Sequence, residues 1–82
     1  MPDLPDTRVV MIGRDGCHLC DVAREVIERV VGETGDSFAE VDVDADPALA
    51  RWTDEVPVTF VDGRQHDYWR VDEGRLRAAL KG

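Results

Sequence analysis

Long apolar runs, cysteine, aromatic residues and positive charge are all scarce in this 82-residue chain, and each shortage removes a class of protein. No stretch approaches the roughly 18 to 20 consecutive apolar residues that cross a bilayer, so a membrane-spanning helix is not expected. The opening Met1-Pro2-Asp3-Leu4-Pro5-Asp6 has neither the basic start nor the apolar centre of a signal peptide, and the chain reads as cytoplasmic. Lys and Arg total ten against eighteen Asp and Glu, a net charge of −8. Nucleic acid and anionic membrane are disfavoured as partners, because binding to phosphates rests on clustered Lys and Arg that release counterions.

Two cysteines cannot build the multi-bridge framework of a small secreted domain. In the cytosol a permanent disulfide is unusual, so a close cysteine pair there points to redox cycling or a metal. A structural zinc site needs about four ligands, and beyond the cysteines the chain adds only His18, badly placed beside Cys17, and His66. No Asp/Asn loop has calcium spacing, and no metal site is expected. Trp52, Trp69 and Tyr68 are candidates to line a substrate groove, but a small domain with only two Phe needs large side chains inside, and Trp52 is expected in the core. Trp69 is divided between a core place and the partly exposed last strand, and His66 reads as a surface residue.

What remains is 43% apolar and 34% charged, a balance that suits one folded domain. The length lies near the lower limit for a single core. No linker, repeat or low-complexity tract divides the chain, so residues 1–82 read as one domain with an ordered core over about residues 8–80, acting as a monomer.

Val9-Val10-Met11-Ile12 is a continuous β-branched run, expected as a strand buried on both faces. From Leu19, the positions Leu19, Val22, Ala23, Val26, Ile27 and Val30 follow helical spacing and predict one apolar stripe, ended by Gly32 and Gly35. Phe38 to Asp44 alternates apolar and acidic residues as an outer strand, its carboxylates facing solvent. The three pieces suit a right-handed βαβ unit. Asp46-Pro47 predicts a capped short helix carrying Ala48, Leu49 and Trp52. Val58 to Val61 reads as a strand, Asp62-Gly63 as a hairpin turn, and His66 to Val71 as its antiparallel partner. Asp72 caps a last helix holding Leu76, Ala79 and Leu80. The order is β-α-β-α-β-β-α, a four-stranded mixed sheet whose first and last helices share one face.

Cys17-His18-Leu19-Cys20 falls where the first strand turns into the first helix. At a helix N-terminus, unpaired amides and the helix dipole favour a thiolate over a thiol. The thiolate is the nucleophile of disulfide exchange, which makes Cys17 the attacking sulfur. Cys20, three residues on and in line with Ala23 and Ile27, comes round to the same side, less exposed, as the resolving thiol. The same pair also admits a non-catalytic reading, a redox-regulated protein-binding module.

The order of elements, the CHLC motif opening the first helix, and Val56-Pro57 before a strand resemble a small glutaredoxin-like protein of the thioredoxin-fold superfamily, over Arg8 to about Leu80. The resemblance implies a thioredoxin-like α/β sandwich and a thiol–disulfide oxidoreductase. It implies that Pro57 is a cis-proline facing the cysteines and that the Val56 backbone pairs with the bound thiol. Arg14, three residues before Cys17, matches a basic residue that binds the glutathione carboxylate. Asp72 is a candidate contact for the thiol's amino group. Two departures stand out: His18-Leu19 replaces Pro-Tyr, and Val71-Asp72-Glu73-Gly74 lacks the Gly-Gly pair that lets glutathione approach.

No tightly bound cofactor is expected. The implied reductant is glutathione or another low-molecular-weight thiol, and the implied partners are a disulfide-bearing protein or mixed disulfide and a thiol reductase. Frequent Arg, Asp, Val and Ala with a single Lys suit a GC-rich bacterial genome, whose principal thiol sets the electron donor.

Overall fold

Val9, Val10, Met11 and Ile12 point alternately into two cores, because successive side chains of a strand leave on opposite faces. The computed structural model describes residues 5–81; Met1 to Leu4 and Gly82 lie outside them. Along the chain stand β1 (Val9–Gly13), α1 (His18–Thr34), β2 (Phe38–Asp42), a 3₁₀ helix (Pro47–Trp52), β3 (Val58–Val61), β4 (Arg64–Tyr68) and α2 (Glu73–Lys81). The sheet order is β2-β1-β3-β4. β1 runs parallel to β2 and antiparallel to β3, and β3 is antiparallel to β4. This is the expected four-stranded mixed sheet of a thioredoxin-like α/β fold.

Val9, Met11 and Val61 face one layer, where Cys20, Ala23, Ile27 and Val30 of α1 meet Leu76 and Leu80 of α2. Val10, Ile12, Val58 and Phe60 face the other, closed by Val43, Leu49 and Trp52, with Trp52 edge-on to Phe60 at 5.5 Å. Truncating a fully buried side chain such as Ile27 to alanine in cores of this kind costs about 2–5 kcal/mol. Among the described residues, no helix is long and apolar enough to cross a membrane.

Local chemistry explains most boundaries. α1 stops at Gly35, whose left-handed φ of 78° returns its amide to the Val31 carbonyl at 2.8 Å. Asp46 caps the short helix by accepting from the Ala48 amide at 2.9 Å, and the segment closes as 3₁₀. Asp62 and Gly63 both have positive φ, 52° and 80°, as a two-residue hairpin turn requires.

Three expectations need correction. The hairpin partner is Arg64 to Tyr68, not His66 to Val71, because the two-residue turn sets Arg64 directly opposite Val61 and Trp69 then leaves the extended region. The apolar stripe of α1 is narrower than its spacing suggested: Leu19 and Val22 are exposed and Val26 is half-buried. They precede Cys20, Ala23 and Ile27 by one residue each, about 100° around the helix from the face that meets the sheet. The carboxylates of β2 do face solvent as expected, and Glu40 there also accepts from Arg24 at 2.5 and 2.7 Å. His66 is no surface residue; its side chain keeps only 12% of its accessible area.

Candidate functional site

β1 delivers the chain at Gly13 to a tight turn, Arg14-Asp15-Gly16, closed by the Cys17 amide donating to the Arg14 carbonyl at 3.3 Å. Gly16 takes a φ of 74°, and Cys17 follows in extended conformation as the N-cap of α1. Its Sγ accepts from the Cys20 amide at 3.1 Å, and its carbonyl accepts from the Asp21 amide at 3.1 Å. The sulfur therefore does what a serine or aspartate oxygen does at other helix starts. Cys17 and Cys20 form a disulfide with Cα atoms 5.1 Å apart. Cys20 is fully buried, while Cys17 is half-buried.

After reduction, the same amide and the positive end of α1 favour negative charge on Cys17 Sγ. Asp15 and Asp21 on either side oppose this, and His18 is exposed.

The Val56–Pro57 bond is cis. Pro57 is fully buried, and Val56 packs against the same helix-side core as Cys17. The topology thus brings the cysteine pair and the Val56-Pro57 corner to one region of the molecule.

Arg14 and Asp72 are engaged locally. Arg14 donates from Nε and Nη2 to Asp44, at 2.9 and 3.2 Å, and from Nη2 to the Thr53 hydroxyl. The Arg14 hydrogen bonds hold the Asp44 carboxyl below its ordinary pKa, and Asp44 raises that of Arg14. Asp72 is the cap of α2: its Oδ1 accepts from the Arg75 amide at 2.9 Å, and its carbonyl accepts from the Leu76 amide at 3.0 Å.

One feature escapes the sequence, and a second is only partly legible there through Trp69 as a groove candidate. Gly13 abuts Cys20 so closely that a Cβ there would stand 3.3 Å from Sγ, and only its place one turn before the cysteines hinted at this. An apolar cleft of about 380 Å³ also lies between α1 and the segment after β4, walled by Leu19, Val22, Val26, Trp69, Arg70 and Val71. Its signal was the second, redundant stripe on α1. Among the described residues, no three His, Cys, Asp or Glu side chains gather as a group able to hold a metal ion.

The profile of the glutaredoxin-like domain (DUF836) matches residues 8–81. The chain belongs to that family. This glutaredoxin-like chain is 39% identical over 79 residues to the uncharacterized protein Rv0508 of Mycobacterium tuberculosis, covering 89% of this chain and 81% of that protein. It resembles the crystal structure of the target protein XcR50 from X. campestris with a TM-score of 0.72 and 36% identity, over 89% and 95% of the two chains. A mutant thioredoxin from Halobacterium salinarum NRC-1 matches with a TM-score of 0.65 and 29% identity, over 93% of this chain and 73% of that one. Fold, family and the Cys17-x-x-Cys20 pair agree on redox chemistry at the two sulfurs.

Proposed function

We propose that this glutaredoxin-like chain is a thiol–disulfide oxidoreductase that reduces protein disulfides or mixed disulfides. The observation that carries the reading is Cys17 Sγ at the N-cap of α1, bonded by the Cys20 amide and joined to a buried Cys20. In the reduced protein the Cys17 thiolate attacks a substrate sulfur and expels one thiolate, leaving a mixed disulfide on Cys17. Cys20 then attacks Cys17 Sγ, forms the internal disulfide and releases the second thiolate. Two electrons pass to the substrate, and an external thiol or thiol reductase restores the pair.

Val56 and Pro57 form the corner against which the substrate chain rests. Val56 precedes the β3 ladder, which leaves its backbone outside those strand pairs. Arg14 serves an anionic substrate group through Nη1, the nitrogen that makes no hydrogen bond among the described residues. Asp72 contacts a substrate amino group through Oδ2, its oxygen not used in capping the helix. The electron donor is glutathione or another low-molecular-weight thiol, and the protein works as a cytoplasmic monomer without a bound cofactor.

The test is turnover of a glutathione mixed disulfide, with glutathione and glutathione reductase coupled to NADPH oxidation. Cys17→Ser should abolish it, and Cys20→Ser should accumulate a mixed disulfide detectable by mass. Full activity in Cys17→Ser would overturn the mechanism. Turnover absent with glutathione but present with another small thiol would reassign the donor. Failure with every thiol would favour a redox-regulated binding module.

A further inference from the structure

Leu19, Val22 and Trp69 are exposed at 38%, 43% and 51%, and apart from Tyr68 they are the large apolar side chains that the described residues leave open. They are not scattered, because all three wall the same cleft. The cleft adjoins the reactive pair through His18 and Leu19, the residues between the cysteines. An apolar surface gathered at a reactive centre marks a binding site more than a packing defect.

Trp69 is placed there against its own backbone preference. Its φ of 64° lies in the left-handed region, where a bulky residue is strained, and such strain persists where surroundings fix it and gathers at functional sites. Two hydrogen bonds do the fixing: its amide donates to the Pro57 carbonyl at 2.7 Å, and its indole Nε1 donates to the Asp54 carbonyl at 3.2 Å. The indole N–H is thereby satisfied while the ring stays half open. Trp52, which only fills the core, is buried.

The charge at the cleft is specific too. Arg8, Arg14, Arg24, Arg29, Arg75 and Arg77 are all ion-paired within the chain. Arg51, Arg64 and Arg70 make no ion pair among the described residues, and of these three Arg70 stands on the cleft wall. In a chain of net charge −8, an unpaired guanidinium beside an apolar cleft complements a carboxylate on whatever enters.

We propose that this cleft is a specificity pocket for a peptide disulfide: it takes a large apolar side chain next to the substrate's reacting cysteine, and Arg70 meets an acidic residue beyond it. The proposal rests on the dithiol exchange above and selects among its substrates. When the Cys17 thiolate displaces the leaving thiolate, the peptide is tethered through the new Cys17–sulfur bond, with its neighbouring side chain against Leu19, Val22 and Trp69. Cys20 then breaks that bond, and the peptide leaves as a thiolate that takes a proton from water. Small apolar pockets discriminate by about 10- to 200-fold, and an open cleft belongs at the low end.

The full chain, reduced, is offered two peptides of equal length as mixed disulfides, one with the cysteine followed by Leu-Glu and one by Gly-Gln, together with bis(2-hydroxyethyl) disulfide. The expected result is a preference of about tenfold in kcat/KM for the Leu-Glu peptide. Val22→Ser should bring that ratio toward one, and Arg70→Gln should lower it and remove its dependence on salt. Equal rates on the two peptides, with the small disulfide still reduced through Cys17, would overturn the pocket and leave the exchange standing. A preference unchanged in Val22→Ser would overturn the pocket's location. Loss of all three reactions would overturn the exchange instead. The pocket is then judged by binding of Ser-for-Cys peptides, read from the Trp69 indole N–H resonance: tighter binding of the Leu-Glu peptide supports it, and equal binding overturns it.

Discussion

Gly13 and Cys20 approach so closely that a single added methyl group would fill the gap: a Cβ on Gly13 would meet Cys20 Sγ at 3.3 Å and Met11 Cε at 3.2 Å. The Met11 end is flexible and can yield, whereas Cys20 Sγ is fully buried and tied to Cys17. Overfilling a packed core costs about 1–3 kcal/mol. Gly13→Ala should lose about 1 kcal/mol, which lowers the melting midpoint of a domain this size by about 4–8 °C. The loss should be greater with the disulfide formed than after reduction, when the Cys20 side chain can turn. Melts of the oxidised and the dithiothreitol-treated protein check this, and an unchanged midpoint in both would mean that β1 and α1 have slack.

Asp72 holds a structural post that can be separated from a ligand role. Removing an N-cap costs about 0.5–2 kcal/mol, and serine replaces aspartate there with little loss. Asp72→Ala should therefore destabilise α2 by about 1 kcal/mol, and Asp72→Ser should restore most of it while removing the charge. Urea midpoints read the first effect, and KM for a glutathione mixed disulfide reads the second. A raised KM in Asp72→Ser at normal stability would establish the contact with substrate, and an unchanged KM would confine Asp72 to capping.

Legibility in the sequence followed how local each signal is. β1 was readable because four consecutive apolar residues have nowhere to go but two cores. The end of α1 at Gly35 and the hairpin are readable because Gly35 and the Asp62-Gly63 pair announce left-handed backbone, whereas Gly32, also expected at that end, lies inside the helix. β4 is hard to place from sequence because Arg-Gln-His-Asp-Tyr carries no apolar alternation; it is an edge strand held by its ladder, and the large apolar residues Tyr68, Trp69 and Val71 lie at or beyond its end. Trp69 in left-handed conformation contradicts local preference, so only tertiary hydrogen bonds could reveal it. At the site, the cysteine pair was legible from its place at a helix start. The pairing of Arg14 with Asp44, thirty residues away, was not, because spacing along a chain does not report ion pairs across it.

The left-handed backbone of Trp69 makes a prediction that runs against intuition about small residues. Left-handed geometry costs a residue with a Cβ about 1–2 kcal/mol, while glycine there gives back part of the difference through its more flexible unfolded chain. Trp69→Ala and Trp69→Gly remove the same ring and the same indole hydrogen bond to Asp54. Trp69→Gly should be the more stable of the two by about 0.5–1 kcal/mol. Denaturant titration of the pair checks it, and an alanine variant as stable as the glycine one would show that the backbone relaxes once the indole is gone.

Acid should weaken the fold through the carboxylates that stitch its elements together. Glu73, at the start of α2, accepts from Arg77 at 2.9 Å and from Arg29 of α1 at 2.6 Å, and these bonds hold its pKa below the ordinary 4.5, Arg77 having the larger effect. Asp36 and Asp44 are likewise held below 3.8, the first by Thr34 and Arg8 and the second by Arg14. A carboxyl group whose folded pKa lies below its unfolded one binds more protons when unfolded. Its contribution is therefore complete above the unfolded value and drains away as pH falls through the folded one. Urea midpoints should hold steady from pH 7 to about 5 and then fall toward pH 3. Because these pairs face solvent, high salt should flatten the fall. Glu73→Gln keeps the shape of the side chain but cannot ionise, so its decline between pH 5 and 3 should be shallower than that of the natural chain. A decline of equal steepness would place the acid sensitivity in carboxylates other than Glu73.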